Sequence, residues 1–159
     1  TSYFREIAGK QVRQLTDSIM EADHNQRIIV MGDMNDDPDN KSMAKFLGAK
    51  RKMKDVGAHD FFNPWWDMLR GKGQGTLTYQ GGWNLFDQIV FSRNLLDIDG
   101  RKDYSHLPLY AWHIFRRDYL IQQEGRYKGS PKRTTAGGTW LNGYSDHLPT
   151  VAYLIKDMK

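Results

Sequence analysis

A short run rich in β-branched residues, Arg27-Ile28-Ile29-Val30-Met31, stops abruptly at Gly32-Asp33-Met34-Asn35. Four apolar residues together suit a buried strand and are too few for a helix. Such a strand must be covered on both faces, so the chain has to build layers around it. Helical spacing elsewhere supplies the cover. Across residues 2–23, Phe4, Ile7, Ala8, Val12, Leu15, Ile19 and Met20 recur at three- and four-residue steps. A short helix is expected over 42–47, with Asn40 or Ser42 as cap and Gly48 as stop. Another is expected over 64–69, opened by Asn63-Pro64. The spacing of Trp112, Phe115, Tyr119 and Leu120 predicts a helix over 111–122. Strands are expected over 76–80 and 87–92 around a turn at Gly81-Gly82, and a last strand over 150–155. Residues 125–143, rich in glycine and basic side chains, are expected to be mostly loop. Helices alternating with strands in 159 residues predict one α/β layered domain.

Composition narrows the chemistry. Hydrophobic residues make up 39% and charged residues 26%, which excludes a disordered chain. No apolar run approaches the ~18 residues of a membrane-spanning helix. There is no cysteine, so disulfides and thiolate-held zinc are excluded, and the compartment stays open. The net charge of +4 suits an anionic partner without naming one. Thr1 is not an initiator, and the helical pattern starts almost at once, so a preceding segment is expected.

Three clusters carry chemistry. The first is Gly32-Asp33-Met34-Asn35, at the carboxyl end of the apolar run, where open α/β sheets place ligand chemistry. An Asx turn accounts for the same residues equally well. A calcium loop does not, because Pro38 stands where the pattern needs glycine and Ala44 where it needs glutamate. The second is Trp83-Asn84-Leu85-Phe86-Asp87, with Asp87 opening an apolar strand. The third is Ser145-Asp146-His147-Leu148-Pro149, which sets an acid beside a histidine suited to proton transfer. His24, His59, His106 and His113 show no partner in sequence and read as structural or solvent-facing. Neither Ser92 nor Ser145 lies in a Gly-x-Ser-x-Gly elbow, and Gly71, Gly73 and Gly75 fit no nucleotide-binding loop.

Taken in order, these clusters resemble the C-terminal motifs of the endonuclease/exonuclease/phosphatase superfamily, with its DNase I-like fold. That family runs a strand into Gly-Asp-x-Asn, opens a later strand with Asp and closes it with Ser, and sets Ser-Asp-His-x-Pro before its final strand. The resemblance implies the C-terminal half of a four-layer α/β/β/α sandwich, with residues 1–159 as the C-terminal portion of one domain. It implies a magnesium-dependent phosphodiesterase, with manganese as an alternative ion. Asp33 would act on the attacking water or the leaving oxygen, Asn35 would hold nucleophile or phosphate, and His147 would donate to the phosphoryl oxygen. Asp87 would fix the ring of His147, and Asp146 would help hold the metal. The family's principal metal-binding glutamate has no counterpart in this chain, so the fragment alone is expected to be inactive.

The resemblance implies a phosphate-ester substrate. Trp83-Asn84-Leu85-Phe86-Asp87-Gln88 lacks the Cys and Arg of the inositol-phosphatase branch. Arg126, Lys132 and Arg133, among aromatic residues, are candidate substrate contacts for DNA or RNA, and an ordinary solvated surface explains them as well. A phospholipid or small phosphoester is the alternative substrate, and a non-catalytic anion-binding module the alternative role. The half-domain is also expected to leave an apolar sheet face uncovered and to self-associate through it.

Overall fold

The computed structural model describes residues 2–158. Helix α1, Ser2–Ala22, opens the chain. It lies along a short segment of π-type helix, Ser42–Leu47, which ends at Gly48 in the left-handed conformation. Gly9 permits the approach, since a Cβ there would collide with the carbonyl oxygen of Ser42. Only part of the expected stripe turns inward: Met20 is buried and Val12 partly so, while Phe4 and Leu15 are exposed.

Four strands form the main sheet. They are β1 (Ile29–Asp33), β2 (Ala49–Lys50), β3 (Phe61–Phe62) and β6 (Asp87–Ser92), in the order β1-β6-β3-β2. β6 runs antiparallel to both β1 and β3, and β2 is parallel to β3. Between them the chain forms helix α2 (Trp65–Arg70) and a hairpin of β4 (Leu77–Tyr79) and β5 (Gly82–Asn84). β7 (Leu109–Ile114) pairs antiparallel with β10 (Thr150–Leu154) as a second, smaller sheet. A hairpin of β8 (Thr135–Ala136) and β9 (Thr139–Trp140) lies between these two in sequence.

The two-residue period of the strands divides the core. Val30, Phe61 and Val90 face the helical side and pack with Met20, Met43 and Leu47. Phe62 and Phe91 point the other way, toward Leu109, Trp112, Ala152 and Leu154 of the smaller sheet. Trp65, Met68 and Leu69 of α2 fill the same side with Leu85 and Ile89. The layers therefore run helix, sheet, sheet, in a mixed α/β fold of the DNase I-like kind. On β1, Ile29 and Met31 share the face of Ile89 and Phe91, but the smaller sheet does not reach them, and Met31 is 72% exposed. No helix among the described residues is long and apolar enough to cross a membrane.

Three expectations are corrected. Residues 111–122 are not a helix: β7 occupies their first part and a single 3-10 turn, Asp118–Leu120, the rest. Trp112 and Tyr119 belong to two separate segments, so their helical spacing is accidental. A partner strand decides the matter, because β10 bonds along β7 and Trp112 packs edge-on against Phe62. The strand over 76–80 does not pair with the one over 87–92. It folds back on β5 through Gln80 and Gly81, both at positive φ, as a tight hairpin turn requires. The first strand runs two residues later than expected, which brings Gly32 and Asp33 into the ladder.

Trp65 is fully buried, and its indole N–H donates to the Ile89 carbonyl at 2.8 Å. Trp65→Ala is expected to cost about 3–5 kcal/mol, read from urea denaturation. Tyr110→Ala, at an exposed site on β7, should stay within about 0.5 kcal/mol of the parent.

Candidate active site

The β1–β6 register sets Asp33 opposite Asp87 at the end of the ladder. Residues at alternate positions share a face, so both carboxylates lie on the face of Met31 and Ile89. The loop before β10 brings His147 to them. That loop is pinned by Leu148, which is buried and whose N–H donates to the Thr76 carbonyl at 2.8 Å. It is pinned again where the Phe115 N–H donates to the Pro149 carbonyl at 2.7 Å. His147 Nδ1 then lies 2.8 Å from Asp87 Oδ2. A carboxylate can only accept, so Nδ1 carries the hydrogen and Nε2 faces outward with its own valence free. Ligand atoms of Asp33, Asp87 and His147 all fall within 4.8 Å of one another.

Asp33 forms the Asx turn of its motif and also lies near Asp87 and His147. Its Oδ1 accepts the Asn35 N–H at 2.9 Å, which is an Asx turn, and Asn35 adopts positive φ to close it. The Met34 N–H donates to the Phe86 carbonyl at 2.7 Å, which extends the ladder one step past the strand. Asn35 is exposed beside this turn.

Beneath the cluster lies a buried polar layer that the sequence reading missed. Asp36 takes a 2.6 Å bond from Ser42 and a 2.9 Å bond from Asn40, and lies 2.8 Å from Arg5. Asp37 accepts the Leu85 N–H at 2.8 Å, the Asn84 amide at 3.0 Å and Arg70 at 3.2 Å. Asp39 binds Arg70 more closely, and its hydrogen bond is the main reason the guanidinium is held above its usual pKa range. Gln88, buried in the middle of β6, donates to the carbonyls of Asp36 and Leu85 and accepts from Asn63. The signal for this layer was the density of acids in 33–39, more than one binding loop needs.

The remaining candidates separate from the cluster. Asp146 is exposed and pairs with Arg133 at 3.5 Å. Arg126, Lys132 and Arg133 line a cavity of about 480 Å³ between the β4–β5 hairpin and residues 122–141. His59 does have a partner, Asp17, at 3.1 Å, and His113 stacks on Tyr153.

The donor set suits a hard divalent cation. Two carboxylates side by side repel and are relieved by positive charge. Magnesium prefers oxygen and keeps several waters, so the carboxylate oxygens not already bonded are its natural donors. His147 Nδ1 is committed to Asp87, so Nε2 is the ring nitrogen left for another partner.

A layered α/β fold thus sets two strand-end aspartates opposite each other and a histidine beside them. The chain belongs to the endonuclease/exonuclease/phosphatase family, whose model matches residues 2–156. That family is typically dependent on divalent metal. No curated protein and no solved structure matches the chain.

Asp37 is 6% exposed and meets the backbone of fully buried Leu85. Asp37→Ala would strand that N–H and is expected to cost about 1–3 kcal/mol. A fall in the urea midpoint would register it.

Proposed function

We propose that this chain carries the C-terminal part of the active site of a magnesium-dependent phosphodiesterase, with nucleic acid as the favoured substrate. The 2.8 Å contact of His147 Nδ1 with Asp87, beside Asp33, carries the reading. A charged His147 would donate from Nε2 to a phosphoryl oxygen and stabilise the charge that develops there. Asp33 would take a proton from the attacking water as its oxygen bonds to phosphorus. The opposite P–O bond then breaks, and the departing oxygen leaves with the electron pair and is protonated by solvent. Asn35 would hold the water or a phosphate oxygen through its amide. A bound magnesium ion would supply Lewis-acid polarisation of the phosphate. Asp146, turned toward Arg133, would hold water on the ion's outer side.

Two carboxylates are a sparse set for an ion that prefers six oxygen ligands. On this reading the domain's other metal ligand lies outside residues 1–159, and activity is measured on the full-length protein. Plasmid nicking with magnesium should be lost with chelator. His147→Ala should slow it by about 10²–10⁴-fold without lowering the melting temperature. Undiminished nicking by that variant would overturn the mechanism. Binding without turnover by the parent would favour an anion-binding module.

The exposed residues Ile29 and Met31, on the open face of β1, motivate a second reading. Isolated residues 1–159 are expected to self-associate through this surface. Sedimentation of Met31→Lys should shift the material toward monomer, and a monomeric parent at high concentration would refute the idea.

A further inference from the structure

The cavity that gathers Arg126, Lys132 and Arg133 lies apart from the carboxylate–histidine cluster. Its volume, about 480 Å³, lies within the ~300–1,000 Å³ usual for small-molecule sites. Tyr79 and Tyr127 are among its lining residues, with Leu141, Pro131 and Ala136. Three cations face it against one acid, Glu124. Gln80 and Gln122 set amides on its wall.

Both walls are tied to the cluster. The hairpin wall ends at Asn84, three residues before Asp87, and starts just after Thr76, whose hydroxyl lies 3.5 Å from the Asp87 N–H. The opposite wall is fastened where the Tyr144 N–H donates to the Lys132 carbonyl and where Arg133 meets Asp146, the neighbour of His147. The cavity is therefore linked to the loop of His147 through Arg133 and Asp146.

We infer that this cavity holds one unpaired nucleotide of the substrate strand, its base on Tyr79 and Tyr127 and its phosphate on Lys132 and Arg133. The inference rests on the phosphodiesterase reading and narrows it. Tyrosine rings stack any base, and cations track the backbone. Amides on the wall suit a base edge. An acyl chain would leave Arg126 and Lys132 without an anionic partner, at a desolvation cost. A base inside a duplex presents only its edges, so it must leave the stack to enter. The protein should prefer single strands, or frayed ends, to intact duplex.

The test is fluorescence anisotropy of the full-length protein with a short labelled single-stranded DNA in chelator, where nothing is cleaved. The same strand annealed to its complement is the comparison. Tyr127 is exposed, so its replacement does not threaten the core. Tyr127→Ala should weaken single-strand binding about tenfold, and Tyr127→Phe should restore it. Ala136→Trp, which fills the cavity from β8, should weaken it as well. Tyr110→Ala, on another surface, is the control. Unchanged affinity in both Tyr127→Ala and Ala136→Trp overturns the inference, as does tighter binding of the duplex. Hydrolysis of bis(p-nitrophenyl) phosphate by the parent with magnesium is followed separately. If the parent binds as expected and hydrolyses nothing, the cavity stands and the catalytic reading fails. If it hydrolyses the ester while the variants bind like the parent, the reverse holds.

Discussion

Two carboxylates meet at the last rung of the β1–β6 ladder, and much of the surrounding structure answers that juxtaposition. Strand pairing puts Asp33 and Asp87 opposite each other whether or not their charges agree. Like charges directly across an antiparallel pair are unfavourable. One answer is His147, held to Asp87 by a buried leucine in its own loop. Another is a cation among the remaining oxygens. The ladder that gives the sheet its order thus also creates the electrostatic demand on which the chemistry rests.

A rigid demand needs a rigid base. Asp36 and Asp37 lie directly after the Asx turn and are buried. Each accepts hydrogen bonds from other elements, so neither is left uncompensated in the interior. Asp37 reaches to β5 and α2, and Asp36 to the π-type segment and α1. Gln88 links the same loop to β6 and Asn63. The loop that carries Asp33 is therefore fixed to nearly every nearby element. Of its acids, Asp33 alone joins the cluster, and the others serve the scaffold.

The sequence made the short-range features legible. Helix α1, the π-type segment with its Gly48 stop, α2 and the last strand follow from spacing, caps and breakers, which are local causes. The strand-end positions of Asp33 and Asp87 and the loop position of His147 were equally readable. What escaped depends on partners distant in sequence. Trp112 has helical neighbours in sequence, but a strand ladder with β10 outweighs them. The pairing of 77–79 with 82–84 turns on positive φ at Gln80, a residue with no strong preference for it. Asp36, Asp37 and Gln88 could be seen as polar but not as buried, because burial is a property of the assembled layers. The convergence of Arg126, Lys132 and Arg133 on one cavity was hidden for the same reason.

Gly9 shows how far from the cluster its geometry is set. The helix touches the Ser42 carbonyl at this point, with space only for a hydrogen. Ser42 in turn holds Asp36, whose carbonyl holds Gln88, the neighbour of Asp87. One added methyl on that helix would therefore act as a wedge whose displacement travels through two successive polar contacts. The carboxylate–histidine end of the sheet is in this sense calibrated from the helical side, by the thickness of a single missing side chain.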